Sequence, residues 1–532
     1  MKSEIVRADG SITPAEEGSG TLVFSDLKVG DVIYIEYEDF DINTGRFYKD
    51  FNLSCYFNSN YPAVEAIFCL IHPSDTQYLS AFKNGEVPST TKKVNNKTCT
   101  IWKKSNVPAL PLNENFSFAY SDLNNSIKVS TIKSWKEISN WYADLVKKNL
   151  ELDKITKNTF QQIFPSGVSS LSENQIAEKI YAYIEDNITY SSLDFRQSGY
   201  VPQKPSKTIT TKLGDCKDVS TLFVALSKFA GLKSNLVLVS TNDNGFKNMP
   251  LPAVDFNHCI VKVTLDKKDY FLELTDKYLP FKALPRSLYK ANALVISFDK
   301  AENENAKLIS INFDNAINSK VETKTVVEIS DNAKKFVNQN TLFGSVKSYY
   351  SELFSSATSE DVRKKSLEDL YNSRLSKNIS LQSSKLLTNV NYDDKISFQT
   401  EFIINERIQA VGNLKITELP FLDRVITRDI ISAETRNYDI NYIDYEDTNE
   451  YNNETVLKVE EGKKFTEIPE SKILKYKNYE YSIKFELEKP NLLKINRAVK
   501  TSWDTIPVAD YADFKKFVEE VIAVEEQIVG FK

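Results

Sequence analysis

The sequence predicts a multidomain α+β protein in three parts, with a central mixed segment between two strand-rich regions. Short β-branched and aromatic runs fill roughly the first 130 positions and return after about position 301. Apolar residues at helical spacing concentrate between 173 and 230. Each strand-rich region also closes on a helix pattern, which sets the expected divisions at 1–165, 166–300 and 301–532.

Composition narrows the function classes. The 532 residues are 41% hydrophobic and 26% charged, ordinary for globular protein. A net charge of -6 argues against a general nucleic-acid binder. Tyr and Phe are abundant, at 27 and 31, while Gly is scarce at 15; that favours strands over disorder. The five cysteines, at 55, 69, 99, 216 and 259, are scattered and odd in number, which is no disulfide framework. Cys55 and Cys69 flank one predicted hairpin and are the one pair open to bonding in an oxidising compartment. With two histidines, His72 and His258, and no CxxC, a zinc site is not expected. No signal peptide is visible at Met1–Arg7, and no apolar run is long enough to span a membrane.

In the first region, strands are predicted at 31–38, 47–51, 53–58, 64–71, 98–103 and 115–120. Asp39, Asp41, Asn43 and Asp50 resemble the start of a calcium loop, but Thr44 stands where its glycine belongs, and a hairpin turn explains them better. His72, before Pro73, reads as a loop residue at a strand end. Trp135, Ile138, Trp141, Tyr142 and Leu145 mark a helix over 132–149. Phe164-Pro165-Ser166-Gly167 reads as a linker.

In the central segment, Ile176, Ile180, Ile184 and Ile188 predict a helix over 173–187. Residues 189–213, with Pro202 and Pro205, read as an extended loop. It feeds an amphipathic helix that begins at Cys216. Gly214 supplies a flexible turn, Asp215 a cap and Asp218 its partner, while Val219, Leu222, Phe223, Leu226 and Ala230 form the stripe and Gly231 the stop. Cys216 falls on that stripe. A strand at 236–239, a loop at 241–256, and a hairpin of 257–263 with 270–275 about a turn at Asp266-Lys267-Lys268 complete the segment. The last region has a strand at 320–327, a helical insert at 358–374, a strand alternating from Tyr479 to Glu488, and a closing helix over 510–526 with Phe514, Phe517, Val521 and Val524 on one side. No fixed-period repeat is present.

A thiol in the first turn of a helix meets partial positive charge and unpaired N–H groups, which favour the thiolate. A buried core cysteine is the competing explanation for Cys216 taken alone. Cysteine acyl chemistry further needs an imidazole, and then a carboxylate or amide to orient it. His258 opens a strand 42 residues after Cys216, and Glu273 lies on the return strand. Side chains alternate along a strand, so parity decides the partner. A turn of two or four residues puts Glu273 on the face of His258; three or five puts Asp276 there.

Gly214-Asp215-Cys216-Lys217-Asp218, Phe256-Asn257-His258-Cys259-Ile260-Val261 and Phe271-Leu272-Glu273-Leu274-Thr275-Asp276 resemble the Cys, His and Asp boxes of the transglutaminase-like superfamily. Asp186-Asn187-Ile188-Thr189-Tyr190 is similar to the end of that family's lead-in helix. The resemblance covers about 170–285 and implies a papain-like core between two β-sandwich-like domains. Residues 1–165, through Trp135 to Trp141, and 386–532, through the terminal helix, resemble more loosely the β-rich domains of unknown function that bracket this core in a group of bacterial, often exported, proteins. That likeness implies a periplasmic or secreted location if a leader is missing from the sequence, and a cytoplasmic one otherwise. Cys216 is then the nucleophile, His258 the general base, and Glu273 the third member where the family usually has Asp in a "Leu-Asp-x-Thr" box; Trp is absent from this box.

The implied chemistry is acyl transfer or hydrolysis at peptide or side-chain amides through a thioester. The oxyanion is held by the Cys216 N–H and a side-chain donor, for which Gln203 is the candidate. The acceptor, water or a lysine amine, is left open, and nothing favours glycan-amidase chemistry. No cofactor or metal is required. The competing class is an inactive scaffold that binds peptides or glycans. The two large β regions and the Asp-to-Glu change favour it; retention of both thiol and imidazole opposes it.

Overall fold

The computed structural model of the protein describes all residues except 41–44, 48, 112, 193–198, 376, 390–392 and 424. Asp41, Asn43 and Thr44 of the calcium-loop reading, and Tyr48, therefore lie outside the described residues. The chain forms two compact units, Met1–Phe51 and Asn52–Lys532.

In the first unit, Lys2–Val6 is the middle strand between Ile12–Pro14 and Val32–Glu36, all antiparallel. Ile5 is buried, and Arg7 pairs with Asp31 at 2.8 Å. A second hairpin joins Glu16–Gly18 to Thr21–Val23. Of the strand expected at 47–51, no described residue is in a strand: Gly45–Phe47 is a 3-10 turn, and the next strand starts at Asn52.

The second unit opens with two three-stranded sheets. One places Lys97–Val107 between Ala63–Pro73 and Ser89–Val94. The other places Ser126–Ser130 between Asn52–Tyr56 and Leu79–Lys83. The expected strand at 115–120 is instead irregular, followed by a helical turn at Tyr120–Leu123. His72 is not a loop residue: its strand runs on through Pro73, and its ring is buried edge-on against Tyr78. Cys69 faces Cys99 rather than Cys55, because Cys55 lies in the other sheet beside Ile127. All five cysteines are free thiols.

Helices Trp135–Val146 and Lys154–Ile163 lead to Glu173–Asn187, which starts at a capping box of Ser172 and Gln175. The central sheet is antiparallel, in the order Lys268–Leu272, His258–Leu265, Lys233–Ser240, Asn292–Ile296, Ile309–Ser310. Val237, Val239, Ile260, Leu288 and Ala293 form one of its packed clusters. Helix Cys216–Phe229 packs on the strands Lys233–Ser240 and His258–Leu265.

The last part is built on an eight-stranded sheet whose centre pairs Lys320–Ile329 with Glu450–Val459 in parallel; its other pairings are antiparallel. The helical insert Glu360–Leu375 and the closing helix Tyr511–Glu525 add Leu367, Tyr371, Phe514, Phe517, Val521 and Val524 to one large core. A four-stranded sheet ends the chain, with Ile528–Phe531 between Leu414–Glu418 and Phe465–Glu467. The architecture is thus mixed α and β, a central core flanked by other domains.

Candidate active site

The start of helix Cys216–Phe229 is fixed from several directions. Asp215 accepts the Asp218 N–H at 3.2 Å, and Asp218 accepts the Asp215 N–H at 2.9 Å, closing the capping box. The ammonium of Lys217 pairs with Asp215, so Lys217 is buried despite its charge. Gly214 does not serve as a flexible turn. It pairs with Tyr190 in a short parallel bridge, and a Cβ there would meet Asp218 Cβ at 3.0 Å and Thr208 Cγ2 at 3.2 Å. Glycine is needed for close approach.

The amphipathic pattern of this helix does not expose a polar face. Residues 217–227 are all buried, as suits a helix enclosed on every side. Its polar side chains find partners inside: Ser220 Oγ donates to the Cys259 carbonyl at 3.1 Å, and Thr221 Oγ1 donates to the Lys217 carbonyl at 2.6 Å. Cys216, in the first turn, is half-buried. As the first helical residue its N–H has no acceptor within the helix.

The histidine strand begins at His258, and the hairpin turn behind it has two residues. Asp266 and Lys267 both take the left-handed conformation, with φ of 50° and 66°. Leu265 then pairs with Lys268, and Val261 with Leu272. That register puts Glu273 on the face of His258, one of the two arrangements that parity allowed. The ring Nε2–H of His258 donates to Glu273 Oε2 at 2.7 Å. The other oxygen of Glu273 accepts the Leu274 N–H at 2.8 Å, the Thr275 N–H at 2.8 Å and the Thr275 hydroxyl at 2.7 Å. Both oxygens of this carboxylate, 2% exposed, are thus occupied. The Cys216 sulfur acts electrostatically on the His258 ring, and with Nε2 engaged by Glu273 it is Nδ1 that is left for it.

Electrostatics follow from burial and pairing. Burial opposes charge on His258, but the Glu273 carboxylate with its hydrogen bond, helped by the Cys216 sulfur, outweighs it and pushes the ring up to about 10. Burial likewise opposes charge on Glu273, yet His258 and the Thr275 donors hold its carboxyl below the usual value. Asp276, the rival carboxylate, is pushed up to about 6 by burial and then by the Glu273 charge. No hydrogen bond joins it to His258 among the described residues.

Gln203 has a structural role in this geometry. Its amide nitrogen donates to the Leu213 carbonyl at 2.8 Å and to Asp218 at 3.3 Å, and its backbone N–H donates to Asp218 at 2.8 Å.

Sequence reasoning missed what surrounds the site. Burial raises the Tyr190 phenol, and the charges of Cys216, Asp215 and Glu273 raise it further. The loop before His258 is braced by Lys128, paired with Asp255, and by Ser130, whose hydroxyl donates to the Pro252 carbonyl at 2.6 Å. Tyr200 donates to the Val254 carbonyl at 2.6 Å and stacks edge-on against Trp141. These hydrogen bonds and ion pairs join positions 54 to 127 apart, beyond the reach of local pattern. Among the described residues no group of three or more His, Cys, Asp or Glu converges as a metal site.

The pattern of boxes and the fold agree with the family comparison. Residues 165–272 match the transglutaminase-like superfamily. The central domain is transglutaminase-like. The match contains Cys216 and His258 and ends one residue before Glu273. Residues 413–531 match DUF3858, a domain of unknown function with a solved structure. A crystal structure of a protease candidate from Parabacteroides distasonis superposes with a TM-score of 0.57 at 14% identity, over 100% of this chain and 88% of that one. At that identity the likeness is one of fold. A cysteine protease candidate from Cytophaga hutchinsonii reaches a TM-score of 0.20 at 12% identity, over 49% of this chain and 88% of that one, too low to carry weight. No curated protein matches the chain. In this transglutaminase-like domain, the elements that meet at the site are a helix start and a hairpin.

Proposed function

We propose that the protein is a cysteine-dependent peptidase or acyltransferase acting on peptide or side-chain amides. The observation that carries the reading is the 2.7 Å hydrogen bond that orients the His258 ring on Glu273, with the Cys216 sulfur acting on the same ring. The likeness in fold to a structure described as a protease candidate agrees with it.

In this reading Glu273 orients the ring and stabilises its charge, and the proton shared by Cys216 and His258 lies on the imidazole. The thiolate attacks the amide carbonyl to form a C–S bond, and the carbonyl oxygen becomes an oxyanion. The free N–H at the first helical position is its donor. Gln203 would join as the second donor only by releasing Leu213 or Asp218. His258 then gives its proton to the amine as the C–N bond breaks, which leaves a thioester. Water or an amine, deprotonated by His258, attacks the thioester and regenerates the thiol.

The test is alkylation by iodoacetamide across pH. Cys216 is expected to react well below about pH 8, where an unassisted thiol is slow, and to lose that reactivity in His258→Ala. Uniformly slow labelling that His258→Ala leaves unchanged would instead favour a binding scaffold without turnover. Incubation with casein and dansylcadaverine then separates the acceptors: released peptides mark hydrolysis, and dansyl-labelled protein marks transfer.

A further inference from the structure

A second pair of nucleophilic side chains meets outside this site, on the sheet that contains Ala63–Pro73 and Lys97–Val107. In that antiparallel pair Ile71 lies opposite Cys99, and Cys69 lies opposite Ile101. Cys69 and Cys99 are therefore diagonal neighbours on one face, where long or soft side chains can touch. Their sulfur atoms are 3.0 Å apart. A bonded pair needs about 2.05 Å, so closure asks for an approach of about 1 Å. The face is open: Cys69 is exposed, Cys99 is half-buried, and the flanking Ile67 and Ile71 are exposed. No other thiol competes, since Cys55 belongs to the neighbouring sheet and Cys216 and Cys259 to the central domain.

We infer that Cys69 and Cys99 are a redox-active dithiol that closes to a disulfide on meeting a small-molecule disulfide oxidant. Cys69, the more accessible, attacks one sulfur of oxidised glutathione as its thiolate. A protein–glutathione disulfide forms, and one glutathione thiolate leaves. Cys99, also as thiolate, attacks the Cys69 sulfur; the Cys69–Cys99 bond forms, and the second glutathione leaves. The two cysteines give up two electrons to the oxidant, and their two protons pass to the released glutathione. The bond ties strands separated in sequence by Leu79–Lys83 and Ser89–Val94, so it staples a non-local contact. Exposed disulfides of this kind are reopened readily by thiol reductants, which makes the step reversible.

The test uses the full chain carrying Cys216→Ala, so that the candidate nucleophile stays silent. On incubation with oxidised glutathione, the thiol titre in denaturant is expected to fall by two. The intact mass should fall by two hydrogens with no glutathione retained. Proteolysis should yield a peptide that links Cys69 to Cys99, and dithiothreitol should restore the titre. Adding Cys99→Ser should trap glutathione on Cys69, because the resolving thiol is gone. Glutathione that persists on Cys69 while Cys99 is present, a link from either residue to Cys55, or an unchanged titre would each overturn the inference.

Discussion

His258 Nε2 lies 2.7 Å from Glu273 Oε2, and three further donors from Leu274 and Thr275 hold the opposite oxygen of the same carboxylate. The ring is thus oriented by a side chain that is itself fixed. Glu273→Gln keeps the shape and removes the charge. It is expected to slow Cys216 alkylation by about 10–100-fold near pH 6, and any amide turnover by about 10³–10⁴-fold. Glu273→Asp should fall between Gln and the native residue, because the shorter arm cannot keep both the ring and the Thr275 donors. Alkylation rates of the three proteins check the order.

The His258–Glu273 pair also predicts a pH profile. His258 is raised from its ordinary 6.5 to about 10, so its contribution to stability is complete below pH 6.5 and disappears as pH rises through about 10. Glu273 is lowered, so its contribution holds above its ordinary 4.5 and is lost as pH falls further. The melting-temperature difference between the native protein and His258→Ala should therefore be greatest between these limits and shrink toward pH 10. Thermal melts in a series of buffers measure it.

Glu185 carries the sign opposite to that of Glu273. Burial pushes its carboxyl up from 4.5 to about 8, although it accepts the Tyr278 N–H at 3.1 Å. The folded state then holds a proton that the unfolded state has lost, and stability falls as pH rises from 4.5 to about 8. Glu185→Gln, which retains an acceptor for Tyr278, should flatten that slope and stabilise the protein above pH 8. Urea midpoints on either side of neutrality decide it.

Gly214→Ala inserts a methyl group against Asp218 Cβ at 3.0 Å, Thr208 Cγ2 at 3.2 Å and Val219 Cγ1 at 3.3 Å. Overpacking of this kind costs about 1–3 kcal/mol. Because the displaced residues hold the start of the cysteine helix, alkylation of Cys216 should slow as well. Chemical denaturation and thiol kinetics on the same sample read both effects.

Arg497 is fully buried in the last part of the chain. It donates to Glu525 at 2.6 Å, to Asn453 at 2.8 and 3.0 Å and to the Asp423 carbonyl at 2.7 Å. Arg497→Ala leaves these acceptors without their cation and should cost about 3–5 kcal/mol. Replacing Arg497 and Glu525 together, with Met and Leu, should cost less than the single change. Urea denaturation of both variants provides the comparison.

Much of this arrangement was legible in the sequence where local chemistry and burial agree. The isoleucines at 176, 180, 184 and 188 mark the helix Glu173–Asn187, and the structure has the same bounds. Asp215 and Asp218 likewise announced the helix that begins at Cys216. The enclosure of that helix was not legible, because Lys217 reads as solvent-facing until its pairing with Asp215 is known. Helix Pro205–Thr211 was hidden because Pro205 looked like a breaker, although proline is well suited to a first helical turn. The hairpin register stayed open for a similar reason. Turns with both central residues left-handed favour Asn-Gly, whereas here the positions hold Asp266 and Lys267.

That turn makes the site depend on an integer. Inserting one amino acid between Leu265 and Lys268 would leave every side chain of the site unchanged in identity, yet it would rotate the return strand by half a pleat and swing Glu273 to the opposite surface. Gradual drift in loop length is therefore closed to this hairpin. Viable descendants must gain or lose residues there in pairs, or recruit a different carboxylate in the same mutational step.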